Sequence, residues 1–344
     1  MVTPLDQAVY DDAETLERLL RNAGSRYGLA ELRQLVAGIE AAPEPLDPDA
    51  WMVLVAAEPS EPLKAQLRAF RARVARAPHK DTASREEIAA RVAALRAELA
   101  RRGLAGFVVP RADEHQGEYV PARAERLAWI TGFTGSAGLA IVLAEKAAVF
   151  VDGRYTLQVA QQVDPALFAH RHVTDQPPDG WIADNLPAGD RLGYDPWLHT
   201  PEGLEGLRRA VARAGGELVS VADNPLDAVW EDQPAAPIAP VRPHPVRFAG
   251  REAGDKRVAL GAKLAEGGVD AAVLTAPDSL AWLLNIRGGD VPRTPLPLGF
   301  AILHASGAVD LFMDQRKFVP GLEAHLGNAV TVHAPEALGA ALDR

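Results

Sequence analysis

Read for the alternation of apolar and polar positions, the chain separates into stretches with different periods. Residues 1–80 carry helical spacing, with apolar positions three and four apart. Leu16, Leu19 and Leu20 form one stripe ending at Gly24; Leu29, Leu32, Leu35, Val36 and Ile39 form a second, stopped by Pro43 and Pro45. Together they predict a helical hairpin. A third helix is expected after Ser60, with Leu63, Leu67, Phe70 and Val74 on its apolar face. Arg68, Arg71 and Arg76 lie toward the other side, a solvated basic face.

Strand-length apolar runs start beyond residue 84. Ser84-Arg85-Glu86-Glu87 reads as a capping box, in which hydroxyl and carboxylate satisfy two orphan N–H donors and open a helix. Ile88, Val92, Leu95 and Leu99 supply its buried stripe, Gly103 permits a left-handed exit, and Phe107-Val108-Val109 is a short buried strand closed by Pro110. A polar loop and a helix over 123–129 follow, then the Gly-rich turn 132–138. The runs 139–143 and 147–151 flank Glu145-Lys146 as a β-hairpin. A strand at 191–195, a helix over 201–214 and a strand over 217–221 complete the unit.

The order then repeats. A helix over 251–266 ends at Gly267-Gly268, the strand 271–274 parallels 107–109, and Ser279-Leu280-Ala281-Trp282 parallels Arg126-Leu127-Ala128-Trp129. Asn285-Ile286-Arg287-Gly288-Gly289 replaces the Gly-rich turn, and a hairpin of 300–303 and 309–312 follows. Asp314-Gln315-Arg316-Lys317 falls where the first copy has Asp152-Gly153-Arg154-Tyr155. We read an α/β chain of four parts: a helical segment at 1–80 and a first module at 84–231, then a connector at 232–247 and a second module at 248–344. The connector, with prolines at 234, 237, 240, 243 and 245, is expected to be stiff and extended. The second module has no counterpart of the final strand–helix–strand after Thr331-Val332, so it is expected to expose a sheet edge and apolar surface.

Composition narrows the function classes. Of 344 residues, 48% are hydrophobic and 24% charged, the balance of a folded chain with room for two or three cores. A net charge of −10 without a basic run argues against nucleic acid, and the absence of cysteine excludes disulfides, thiol catalysis and thiolate metal sites. The acidic start and the lack of a long apolar run predict neither a secretory signal nor a membrane span, hence a cytoplasmic location.

Several phrases resemble the three-domain Xaa-Pro aminopeptidases: 110–119, 132–138, Val151-Asp152-Gly153-Arg154-Tyr155, Tyr194-Asp195-Pro196 and 278–291. The resemblance covers 84–344 and implies two tandem creatinase-type N-terminal domains, each a mixed sheet flanked by helices, the second one incomplete. It implies that the catalytic domain, with two divalent metal ions (Mn or Zn), is absent from this chain. Proline-containing peptides are then partners only together with that domain, and a homodimer is an assembly the family allows. The chain would serve as scaffold, substrate gate and oligomerisation region, inactive alone. The competing reading is a stand-alone α/β binding module for a small molecule or protein.

No catalytic residue and no metal ligand set is expected within the chain. Asp113, His115 and Glu118 share one loop, but their spacing matches no ligand signature. Their ordinary role is hydrogen bonding in the loop, while the resemblance makes His115 a cleft-rim residue. His115, Tyr119, Arg154, Arg287 and Asp290 are the substrate-cleft candidates. Arg154, Arg287 and Asp290 have structural alternatives: Asp152 capping the following helix with Arg154 on a neighbouring acid, and an Arg287–Asp290 salt bridge inside its loop. His170 and His172 would share a strand face, yet Arg171 and the acidic loop that follows point to solvent exposure. The glycines of 132–138 lack phosphate-loop spacing and suit a turn with positive φ or close backbone approach, and Ser136 has no nucleophile-elbow context.

Overall fold

The computed structural model describes residues 13–41, 49–76 and 83–343, and the chain forms two compact units. One lies within the continuous stretch 78–233; the other combines the N-terminal stretch to residue 77 with everything from Pro234 onward.

The continuous unit opens with the helix Arg85–Arg101, whose capping box is formed: Ser84 Oγ accepts from Glu87 N at 3.2 Å and Glu87 Oε2 from Ser84 N at 2.7 Å. Six strands follow: β1 Gly106–Pro110, β2 Leu139–Leu143, β3 Ala147–Val151, β4 Ala169–His172, β5 Arg191–Tyr194 and β6 Glu217–Ser220. They form one mixed sheet in the order β4-β3-β2-β1-β5-β6. β2 runs antiparallel to β1 and β3, while β4 pairs parallel with β3, β5 with β1 and β6 with β5. Successive side chains alternate faces. Phe107, Val109, Ala140, Val142 and Val149 pack under Ile88, Val92, Leu95 and Leu99. Val108, Ile141, Ala148 and Phe150 face Ile182, Leu204 and Leu207 of the helices Pro178–Asn185 and Pro201–Arg213. Both sheet faces are therefore covered, each buried Val, Leu or Phe contributing about 1.5–3 kcal/mol relative to exposure.

In the split unit, β7 Arg242–Pro243 pairs with β9 Ile286–Arg287, and β8 Ala271–Leu274, β10 Phe300–His304, β11 Val309–Phe312 and β12 Val330–His333 form a sheet in the order β12-β11-β10-β8. β10 is antiparallel to β8 and β11, and β12 is parallel to β11. This repeats β4-β3-β2-β1 strand for strand, confirming the duplication read from the sequence. Nothing occupies the places of β5 and β6 among the described residues: β8 has one neighbour, and Val273 on it is 47% exposed. One face carries a broad core with Leu280, Leu284, Leu303, Leu311 and Leu326; on the other, Ile302 and Phe312 meet Leu338.

The expected helical hairpin is present as Ala13–Asn22 and Leu29–Ala41, and the third helix as Glu61–Arg76. A short helix Met52–Val55 lies between them, which the spacing does not predict. Pro43, Pro45 and the side chains of Val74 and Arg76 lie outside the described residues. The helices bury Leu16, Leu20, Leu32, Leu35, Leu63 and Leu67 in one cluster that also takes in Ile238. The proline-rich stretch is extended, yet it is no free connector. Ala239 N donates to Asp290 Oδ1 at 3.0 Å, Val241 bridges to Phe318, and the stretch ends in the helix Val246–Ala249. Among the described residues no helix is long and apolar enough to cross a membrane.

Candidate functional site at the carboxyl edge of the sheets

Because β1, β3 and β5 run in one direction, their carboxyl ends emerge at one edge of the continuous unit's sheet. The antiparallel β2 begins at that same edge. Open α/β sheets place ligands outside such an edge. The 111–121 loop follows β1, the Asp152–Tyr155 turn follows β3, the Asp195–Trp197 turn follows β5, and the Gly-rich turn precedes β2.

Asp113, buried at 1% exposure, organises the first loop: its Oδ1 accepts from His115 N at 3.0 Å and Gly117 N at 2.9 Å, while Gln116 takes a positive φ of 55°. The loop hydrogen bonding anticipated for Asp113 is thus its role. His115 is half-buried, Tyr119 is 60% exposed, and Glu118 reaches Arg154 electrostatically. His115 and Tyr119 of this loop and Arg154 of the turn after β3 are brought to one edge.

Arg154 forms a fork with Asp152, its Nη2 at 2.7 Å from Oδ2 and its Nε at 3.1 Å from Oδ1, while Arg154 N donates to Asp152 Oδ1 at 2.9 Å. This corrects the expectation that Asp152 caps the next helix. That helix, Thr156–Gln162, has no side-chain cap, because the carboxylate is occupied within its own turn. The guanidinium and backbone N–H hold the Asp152 carboxyl below its usual range. Tyr155 Oη lies 2.7 Å from Ser136 Oγ, a bond that lowers the phenol's pKa. The glycines are steric: Gly132 has φ 81°, and a Cβ at Gly135 would collide with the Phe133 ring.

Beneath this edge lies a buried polar layer that the sequence did not single out. Arg126 forks onto Asp227 at 2.7 and 2.8 Å, and Asp195 accepts from Asn224 Nδ2 at 2.9 Å and Trp197 N at 3.0 Å. Burial raises the Asp195 and Glu125 carboxyls and lowers His199 to about 4, so this imidazole is neutral at neutral pH. Arg111 Nε and Nη1, Asp113 Oδ2, Arg126 Nη1 and His199 Nε2 are buried without hydrogen-bond partners among the described residues. Such atoms cost about 1–3 kcal/mol each, so this edge is not arranged for stability alone. The phrase Tyr194-Asp195-Pro196 was the available signal; nothing local marked Arg126 or His199.

The split unit repeats the edge with other contents. Arg316 forks onto Asp314 with Nη2–Oδ2 at 2.6 Å and Nε–Oδ1 at 3.1 Å, and Arg316 N donates to Oδ1 at 2.9 Å. The expected Arg287–Asp290 bridge is not formed. Asp290 is buried and accepts from Lys317 Nζ at 2.7 Å, Leu298 N at 2.6 Å and Ala239 N at 3.0 Å. Arg287 instead donates to Ile286 O at 2.8 Å. Burial pushes the Asp290 carboxyl up, and Lys317 opposes it. Its side chain has no solvent access, which removes Asp290 from the cleft candidates as the chain stands. A buried Lys256 donates to Trp282 O and Asn285 Oδ1, each at 2.7 Å. Among the described residues no three His, Asp or Glu side chains converge on a common metal position. His170 binds Val163 O at 3.0 Å, while His172 accepts from Thr174 N at 3.2 Å.

Residues 91–229 and 232–344 each match a family model described as Creatinase/Prolidase N-terminal domain. Aminopeptidase P2 of Arabidopsis thaliana is 36% identical over 231 residues, which make up 66% of this chain and 32% of that protein. Aminopeptidase P1 of Lotus japonicus is 39% identical over 223 residues, 65% of this chain and 34% of that one. The chain thus spans about a third of the length of these curated relatives. Among solved structures, an X-prolyl aminopeptidase from Caenorhabditis elegans, a cytosolic enzyme with a di-nuclear active site, superposes with a TM-score of 0.69 at 28% identity. It covers 74% of this chain and 43% of its own.

Proposed function

Because the chain belongs to the Xaa-Pro aminopeptidase family, of which it carries the creatinase/prolidase N-terminal domains, we propose that it is the non-catalytic scaffold and substrate gate of a proline-specific aminopeptidase. The observation that carries this reading is the division of chemistry. The two sheet edges hold forked arginines and buried carboxylates, and the first an exposed Tyr119, yet no set of three metal-ligating side chains converges among the described residues. Two divalent ions, Mn²⁺ or Zn²⁺, would supply a hydroxide for amide hydrolysis at neutral pH. The described residues do not fit such a centre, so the reaction belongs to a catalytic domain acting with this chain. His115, Tyr119 and Arg154 are the side chains proposed to meet the peptide, with Arg287 as a second rim residue; Asp290 acts only by holding the edge. Proline-containing peptides, a cytoplasmic location and a homodimeric assembly follow from the same reading.

The test is a reconstitution. The purified chain with added Mn²⁺ or Zn²⁺ should release no N-terminal residue from an X-Pro peptide, whereas a fusion to the remaining part of the Arabidopsis relative should do so in a metal-dependent way. In that fusion Arg154→Ala should raise KM more than it lowers kcat. Turnover by the unfused chain that survives repurification and is lost in His115→Ala would overturn the reading.

A further inference from the structure

The two forked turns are copies of one device, and among the described residues only one of them has a partner within its unit. In the split unit the turn is a docking point. Tyr27 Oη donates to Arg316 O at 2.8 Å, Arg26 Nη2 to the same carbonyl at 3.0 Å, and the Glu31 carboxylate pairs with the Arg316 guanidinium. Three residues beyond the arginine, Val319 packs against the apolar cluster of the N-terminal helices. The occupant is therefore a helix start with three features: a glutamate for the guanidinium, a phenol and a guanidinium for the carbonyl, and an apolar face.

In the continuous unit the same turn has the same internal bonds and, among the described residues, none of that cover. The Arg154 side chain is 65% exposed, and Leu157, three residues beyond it, is 79% exposed, the most exposed large apolar residue described. Both turns begin two residues beyond a phenylalanine buried in the sheet, Phe150 and Phe312, so the register is shared. The charges facing Arg154 are Asp152 within its fork and Glu118 on the neighbouring loop; Glu118 acts through space without forming an ion pair. His172 lies beside the turn on β4. One donor of the fork, Nη1, has no partner among the described residues, as Arg316 Nη1 would have none without Glu31.

We propose that the Asp152–Leu157 turn is a docking site for the acidic start of an amphipathic helix in a partner polypeptide, which would occupy Arg154 in place of the substrate peptide proposed above. A glutamate pairs with Arg154 Nη1, a hydrogen-bond donor meets the Arg154 carbonyl, and an apolar side chain covers Leu157. The apolar part supplies affinity by burial, and the charge pair fixes the register.

The probe is a synthetic peptide spanning residues 13–41, which carries Tyr27, Glu31 and the apolar stripe. It is titrated into the ¹⁵N,¹³C-methyl-labelled full chain. The expected result is a saturable shift of the Arg154 Nε–H and Leu157 methyl resonances. A peptide with Glu31→Gln should bind about tenfold more weakly, the loss of one charged pair. Arg154→Ala and Leu157→Asp, both on exposed side chains, should abolish the shifts around 152–157 while leaving the rest of the spectrum in place. No shift at 154 and 157 with millimolar peptide would overturn the proposal. So would equal shifts from the unmodified and the Glu31→Gln peptides, or binding undiminished in both chain variants.

Discussion

Two turns with the same sequence pattern, Asp152-Gly153-Arg154 and Asp314-Gln315-Arg316, adopt the same hydrogen bonds to within 0.1 Å at three of their shared contacts and serve different ends. Around Arg316 the side chains of Tyr27, Arg26 and Glu31 close over the fork, and the next residue, Lys317, is buried on Asp290. Around Arg154 the fork stays exposed, and the next residue, Tyr155, hydrogen-bonds to Ser136. Local bonding is thus set by three residues, while the role of the turn is set by what packs on it. The fork keeps its geometry in both settings because a planar guanidinium matches a carboxylate two residues away, whatever the solvent exposure.

The largest effect expected from that contrast comes from the buried partner. Asp290→Ala leaves Lys317 as an uncompensated buried ammonium and should cost about 3–5 kcal/mol in urea unfolding. Ser136→Ala, at the matching place in the other unit, should leave the unfolding midpoint where it is. A loss below about 1 kcal/mol for Asp290→Ala would show that the edge is not held by the pair.

The second effect separates the units by pH. His199 sits only in the continuous unit, with a folded pKa lowered from 6.5 to about 4 by burial. The unfolded imidazole gains its proton near pH 6.5 and the folded one only near 4. Stability is therefore full above 6.5 and lost as pH falls toward 4, by up to about 3 kcal/mol. His199→Phe should flatten that slope, measured by denaturation at pH 7 and about 4.5; a slope unchanged by the substitution would assign it elsewhere.

The smallest effect probes the cover itself. Tyr27→Phe removes one hydrogen bond to Arg316 O and should cost about 1 kcal/mol, seen as faster amide exchange across 13–41 with β10 and β11 unaffected. Exchange that rises equally throughout the split unit would mean that the helices and the sheet open together.

Much of the architecture was legible because it rests on local rules. The capping box at Ser84, the alternation through 107–109 and 139–151, and the duplicated order of motifs each depend on neighbours within a few residues. The candidates at the first edge were legible only as loop residues; that His115, Tyr119 and Arg154 share an edge follows from strand direction. The pairing of Asp290 with Lys317, 27 positions away, and not with Arg287, 3 positions away, could not be read locally. A buried carboxylate takes the partner whose ammonium arrives along the fold, and sequence proximity does not rank such partners. The same holds for Arg126 with Asp227 and for the unpartnered atoms of Arg111 and His199, which became informative only once burial was known.

By itself, then, the sequence determined the elements and their duplication, because hydrogen bonds and apolar periods over a few residues are enough to specify them. Tertiary structure alone decided that the N-terminal helices join the distant second module in one unit, that a proline-rich stretch is packed rather than free, and that one fork is covered while its copy is exposed. Those outcomes depend on burial and on partners tens to hundreds of residues apart, and chain-local chemistry carries no record of either.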